Sequence, residues 1–296
     1  MIRFLEPRHF RLDDLLRQEH APGRLLGKGP ARTGETWGVP GALRLELCAE
    51  GGELIVPGGG VWRPSHASVF GIDAELGLQI TQDAFVSDDG VLVCVLSLRN
   101  AGGASVEVSL SSGWLTDAPV RISPPGDDLL QSLPPAGRVQ LVWASGRDRG
   151  SAEGWAGESS PVRRQTEALD DWVFAHYPRF ECADQALRGR FYDELYAFWL
   201  GGNLSGASAV LAELLRPEFQ ENTLALHPNF ANLAHFCVAD WPIVDPPLTV
   251  VWDDPSAPGD FYDDGRKGLT LWQNRKCVVQ QESAETVEIS SGTIRA

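Results

Sequence analysis

Positive charge is scarce in this chain. Lysine and arginine together number 25 against 40 aspartates and glutamates, a formal net charge of −15, and that balance repels a nucleic-acid backbone and an anionic membrane surface at long range. A neutral ligand such as a sugar stays allowed. Cysteine is sparse as well: Cys48, Cys94, Cys182, Cys237 and Cys277 are odd in number, widely spaced and contain no CxxC pair. That usage argues against a disulfide frame or a zinc site and reads as reduced thiols. No apolar stretch is long enough for a membrane span, and the first residues lack the apolar core of a signal peptide. These absences predict a cytoplasmic globular protein that binds neither nucleic acid nor membrane.

Cofactor signatures are missing too. Gly27-Lys28-Gly29-Pro30 breaks the dinucleotide pattern, and the Gly201–Gly206 stretch is neither a nucleophile elbow nor a phosphate loop. The acidic run Asp253–Asp264 lacks the alternating aspartates of a calcium loop. His227, His235 and Asp240 are potential metal ligands, but the spacing of the two histidines puts them on opposed faces if one helix spans both. No metal and no cofactor are expected.

What the chain does have is β patterning. Val91 to Leu98 is apolar on both faces, as a strand buried between two layers should be, while Leu76/Leu78/Ile80 and Val106/Val108/Leu110 alternate like half-buried neighbours. Asp89-Gly90 and Ala101-Gly102-Gly103 supply turn residues between them. Further short runs at Leu43–Leu47, Glu53–Val56, Pro119–Ile122 and Val139–Trp143 complete the spacing of an antiparallel sandwich. Its core is predicted to hold Val91, Val93, Val95, Leu96 and Leu98. The stretch from Gly146 to Ser160, rich in glycine, serine and glutamate, reads as a linker or long exposed loop and places the domain boundary.

Beyond it the period lengthens to that of helices. Leu169, Trp172, Val173 and His176 share one face; Leu187, Phe191, Leu195, Phe198 and Trp199 form a second stripe behind Asp184, a plausible N-cap. A third helix over 207–216 is stopped by Pro217, and a fourth is expected over 229–238. Strands return at Leu248–Trp252, Leu269–Trp272, Cys277–Val279 and Thr286–Ile289. The fold class is therefore α+β: an N-terminal antiparallel β-sandwich over 1–150, a helical section over 161–240 and C-terminal strands over 248–296.

The sandwich pattern, with Trp62-Arg63-Pro64-Ser65-His66 upstream and Tyr177-Pro178-Arg179-Phe180-Glu181-Cys182-Ala183-Asp184 leading into the aromatic-rich helix that bears Phe191, Tyr192 and Tyr196, resembles the six-hairpin glycosidases. In that family a β-sandwich precedes a helical barrel. The resemblance covers roughly residues 30–200 and implies carbohydrate chemistry. A barrel of about a dozen helices, at roughly 11 residues each plus connections, needs well over ~170 residues. The chain after Trp172 is too short for it, so no acidic residue is matched to the family's acid or base. The chain reads as part of a larger enzyme, or as a binding protein without the barrel. The function expected is action on or binding of glycosides; the alternative is a non-catalytic carbohydrate-binding or assembly subunit that needs a partner chain, whether another subunit or a second copy.

Glycoside hydrolysis needs two flanking carboxylates, one protonated and one ionised. Glu194, beside Asp193 on the aromatic helix, is one candidate, and the same pair also reads as the solvent face of an amphipathic helix. Asp263 and Asp264 are the others. With Asp253, Asp254, Asp260, Phe261, Tyr262 and Trp252 they form the densest acidic and aromatic cluster in the chain, although Asp-Asp-Pro and Asp-Asp-Gly are also ordinary turn sequences. Ten tryptophans offer stacking surface for sugar rings or filling for the core. Trp143, Trp172 and Trp199 sit in apolar runs; Trp62, Trp241, Trp252 and Trp272 adjoin turns or polar residues. The substrate-binding set expected is Trp62, His66, Trp241, Trp252, Asp254 and Tyr262.

Overall fold

The computed structural model describes residues 18–19, 37–49, 52, 54–125, 128–201, 208–221, 223–230, 232–262, 266–290 and 293–294. It divides into two compact units, residues 12–169 and 170–296 with 1–11. The first unit carries β1 (Gln18–Glu19), β2 (Gly38–Val39), β3 (Leu43–Cys48), β4 (Gly59–Trp62), β5 (Ala67–Asp73) and β6 (Leu78–Val86). It continues with β7 (Leu92–Asn100), β8 (Val106–Trp114), β9 (Val120–Ile122), β10 (Asp128–Leu133), β11 (Arg138–Gly146) and α1 (Arg149–Ala156). Helix α2 (Pro161–His176) runs across the division.

These strands form the sandwich. A seven-stranded sheet in the order β1-β4-β5-β6-β7-β11-β9 faces a four-stranded sheet in the order β10-β8-β3-β2, and every pairing is antiparallel. Leu45, Leu47, Val108 and Leu110 of the smaller sheet are buried, as are Ile80, Leu96, Leu98 and Trp143 of the larger. Two buried amides tie the sheets and turns. Gln82 on β6 accepts from Gly38 N and donates to Gly38 O at 2.7 Å, while Asn100 donates to Ala104 O and Leu133 O at 2.7 and 2.8 Å. Gly38 has φ of 99°, and a Cβ there would lie 2.2 Å from Leu43 O, so only glycine fits this approach.

The predicted core of the central strand is buried in full, Val91, Val93, Val95, Leu96 and Leu98 all being closed to solvent. What covers its second face corrects the sequence reading. The expected linker contains α1, capped by Asp148, whose carboxylate accepts from Ser151 N at 2.7 Å. Its Ala152 and Trp155 pack on Phe85, Val91, Val93 and Val95. Trp155 is 5% exposed, meets Phe85 edge-on at 5.3 Å, lies under the Arg164 guanidinium at 4.0 Å and donates to Asp89 at 3.2 Å. An eight-residue helix with two buried side chains has too few apolar positions for a periodic signal.

The second unit comprises β12 (Arg179–Cys182), α3 (Gln185–Gly201), α4 (Ala209–Leu215), β13 (Pro217–Gln220), β14 (Thr223–Leu226) and β15 (His235–Trp241). There follow β16 (Val244–Asp245), β17 (Leu248–Asp253), β18 (Gly268–Gln273), β19 (Lys276–Gln281), β20 (Val287–Ser290) and β21 (Thr293–Ile294). The main sheet has the order β12-β15-β17-β18-β19, with smaller sheets β13-β14-β20 and β16-β21. Among the described residues of 229–238 the expected helix is absent. Residues 235–241 are instead a central strand, paired to β12 on one side and β17 on the other with a bulge between Val238 and Trp241. Phe236 and Cys237 point to opposite faces and both are buried, so the run is apolar without period, which a buried strand and a helix share. No helix among the described residues is long and apolar enough to cross a membrane.

The covering role of α1 has a measurable consequence. Trp155→Ala should lower unfolding free energy by about 3 kcal/mol, the range for deleting a buried aromatic ring, read as a lower urea midpoint at unchanged m value. A midpoint equal to that of the unsubstituted chain would return Gly146–Ser160 to the role of a linker.

Candidate functional site

The main sheet of the second unit has two chemically different faces. On one, Phe180, Phe236, Val238, Val250, Leu269 and Leu271 are buried. Phe180 meets the Phe191 ring of α3 at a tilt, 4.8 Å between centroids, and the Tyr192 hydroxyl both accepts from Phe180 N and donates to Phe180 O. Antiparallel partners share a face, so the register defines the other side. Glu181, Cys237, Val251 and Thr270 form one row, and His235, Asp253 and Gly268 the next. This face is polar and largely dry: Cys237, Asp253 and Thr270 are buried, and Glu181 and His235 are half-buried.

The connection from β17 to β18 folds back over it. Asp253, fully buried, accepts from Phe261 N at 3.0 Å and from Lys267 Nζ at 2.7 Å; Lys267 also meets Gly259 O and lies 3.8 Å from Asp260. That pairing is what lets a carboxylate sit in the interior at all, since an unpaired one there costs several kcal/mol. The loop so anchored sets the Phe261 ring 4.1 Å from the His235 imidazole and the Tyr262 ring 6.0 Å from it, edge-on. Phe261 remains 44% exposed, whereas Tyr262 is buried.

Burial holds His235 below the ordinary histidine value, opposed by the Glu181 and Asp253 carboxylates. Burial likewise pushes the Tyr262 phenol far up, with the nearby Cys237, Glu181 and Asp253 adding to the rise. Near neutral pH the site therefore presents an uncharged imidazole and an uncharged phenol. Polar atoms on this face that have no hydrogen-bond partner among the described residues include His235 Nδ1 and Thr270 Oγ1, and such groups in native proteins ordinarily hold water or a ligand.

The residues expected from sequence fall in several places. Trp62, the last residue of β4, pairs with Ala67 of β5, is 0% exposed and offers no face to a ligand. His66, also buried there, lies with Nδ1 2.6 Å from Ser65 Oγ and Nε2 3.9 Å from Asp83. Glu194 on α3 accepts from Ser208 Oγ at 2.9 Å and Val210 N at 3.4 Å, so its carboxylate caps α4. Trp241 and Trp252 are buried, and Trp252 donates to Leu233 O at 2.8 Å. Asp254 accepts from Ser256 N and its hydroxyl, which hold the carboxyl below its usual range. Asp263 and Asp264 lie outside the described residues. Tyr262 is the member of the expected set that reaches the polar face. Glu181, His235, Lys267 and Thr270 are outside that set: a helix over 229–238 does not show the register that joins Glu181, His235 and Thr270, and Lys267 joins them through Asp253. Among the described residues no three His, Cys, Asp or Glu side chains gather to hold a metal.

His235 makes the second unit pH-sensitive in a definite direction. Its folded pKa lies below the ordinary ~6.5, so the unfolded chain binds the proton first, and stability falls as pH drops through the window beneath that value. Thermal melts from about pH 7 to about pH 5 should show a steeper decline for the natural chain than for His235→Gln; parallel slopes would contradict this.

No family model matches the sequence, and no curated protein matches it. Among solved structures the chain is similar to one described as "Putative kojibiose phosphorylase from human microbiome", with 6% identity and a TM-score of 0.34 over 63% of this chain. The match spans 35% of that protein's length. Likeness at this level sets neither fold nor function.

Proposed function

We propose that the second unit binds glycosides at the polar face of its main sheet, with Phe261 as the stacking ring. The observation that carries this reading is the exposed Phe261 ring seated on His235, beside the carboxylates of Asp260 and Asp253 and the cluster that includes Asp254 and Tyr262. A sugar presents an apolar C–H face together with hydroxyls that both donate and accept, which suits an exposed aromatic ring flanked by a neutral imidazole and the exposed Asp260 carboxylate. It is also uncharged, and a chain of net charge −15 does not repel it. Binding is favoured over hydrolysis because Asp253 is buried and committed to Lys267, whereas a hydrolytic carboxylate must face an open cleft.

Phe261→Ala is the direct test. Oligosaccharide titrations by calorimetry should give an affinity reduced about tenfold, equivalent to ~1.4 kcal/mol, with unchanged melting. Trp252→Ala, by contrast, should lower the melting temperature, because it empties a core position. If Phe261→Ala binds as tightly as the unsubstituted chain, the ring is misassigned; if a broad panel of glycans shows no binding to either, the carbohydrate reading is withdrawn.

A further inference from the structure

The larger sandwich sheet ends before its core does. β11 pairs with β7 from Arg138 to Ser145, but with β9 only from Ala144 to Gly146. Past Ile122 the chain runs into Ser123-Pro124-Pro125, and two prolines in succession cannot extend the ladder because neither carries an N–H. Among the described residues, the edge of β11 from Arg138 to Trp143 therefore has no strand beside it. The side chains agree. Leu141 and Val142 face opposite sides of the sheet and both are half-buried, while their cross-strand partners on β7, Leu96 and Val95, are closed to solvent.

A cleft of about 620 Å³ follows this edge. Pro124, Pro125, Gln140, Val142, Glu153 and Glu158 are among the residues that line it. The geometry points to this cleft as the docking groove for an extended, cationic peptide segment of a partner protein, which adds to β11 as a further strand. Main-chain hydrogen bonds to a free edge would supply the pairing, and apolar side chains at alternate positions would cover Leu141 and Val142.

Charge decides between this occupant and a second copy of the chain. Pairing β11 with itself across a two-fold axis would set Glu153 and Glu158 near their own copies and join two chains each of net charge −15. Lysines or arginines on an incoming strand meet the same carboxylates favourably. The present partner of Glu153, Arg149 at 3.2 Å, is solvent-exposed and yields readily; that of Glu158, Arg164 at 3.7 Å, also lies over the Trp155 ring, so Glu153 is the carboxylate more open to an incoming cation. This inference is independent of the glycoside reading, since the groove and the polar face belong to different units.

A labelled short peptide alternating lysine and valine, titrated against the full chain by fluorescence anisotropy at low salt, tests it. Saturable binding is expected, at least about tenfold weaker for the pair Glu153→Lys and Glu158→Lys, and lost when alternate peptide nitrogens are methylated. The pair Glu75→Lys and Glu107→Lys, with the same change in net charge outside the groove's lining, should keep it. No binding, equal binding by the methylated peptide, or equal weakening by the control pair overturns the proposal. So does sedimentation of the chain as a dimer that Leu141→Lys disperses, which would give the edge to a second copy.

Discussion

The first unit is organised by one constraint: its central strand β7 is apolar on both sides, and each side must be shielded from water. Cys94, Leu96 and Leu98 are covered by the opposing sheet. Val93 and Val95, facing the other way with Val91 just before the strand, have no second sheet to meet, and α1 takes that place through Ala152 and Trp155. At roughly 25 cal/mol per Å² of apolar surface removed from water, one buried indole contributes a few kcal/mol, a large share of the roughly 5–15 kcal/mol that holds a domain folded. The unit is thus three layers at its centre and two elsewhere, and the layer nearest the free edge of β11 is left open.

The second unit solves a related problem with opposite chemistry. One face of its main sheet is hydrocarbon and aromatic, closed by α3. The other carries a buried carboxylate whose charge is met by Lys267 and by a backbone N–H from the loop that returns over it. That ion pair fixes the loop, and the loop fixes Phe261 against His235. The exposed ring and the orphaned His235 and Thr270 atoms are consequences of where Asp253 sits in the register, two residues beyond Val251 on the same side of β17.

The sandwich strands were legible because alternation and turn residues agree. Gly90 adopts φ of 75° between β6 and β7, as the Asp89-Gly90 pair requires. α1 was not legible, since its two buried residues are embedded in glycine, serine and glutamate. β15 failed for the converse reason: with Phe236 through Ala239 all buried, no period remains to separate strand from helix. The tryptophans failed through their neighbours. Polar residues beside Trp62 suggest exposure, but Arg63 bonds Ser68 and Ser65 bonds His66, so that polarity is spent inside the unit and the neighbouring indole is closed. Within the acidic cluster, which ring stays in solvent was set by the Asp253–Lys267 anchor, a contact between positions whose pairing composition does not reveal.

Native-state hydrogen exchange followed at Val93 and Val95 on β7 and at Ala152 and Trp155 on α1 bears most directly on the claim that the helix is the second cover of the central strand. If it is, all four amides exchange slowly and respond together to added denaturant, because exposing either element means opening the shared core. Exchange of the Ala152 and Trp155 amides at free-peptide rates, with Val93 and Val95 still protected, would contradict the account.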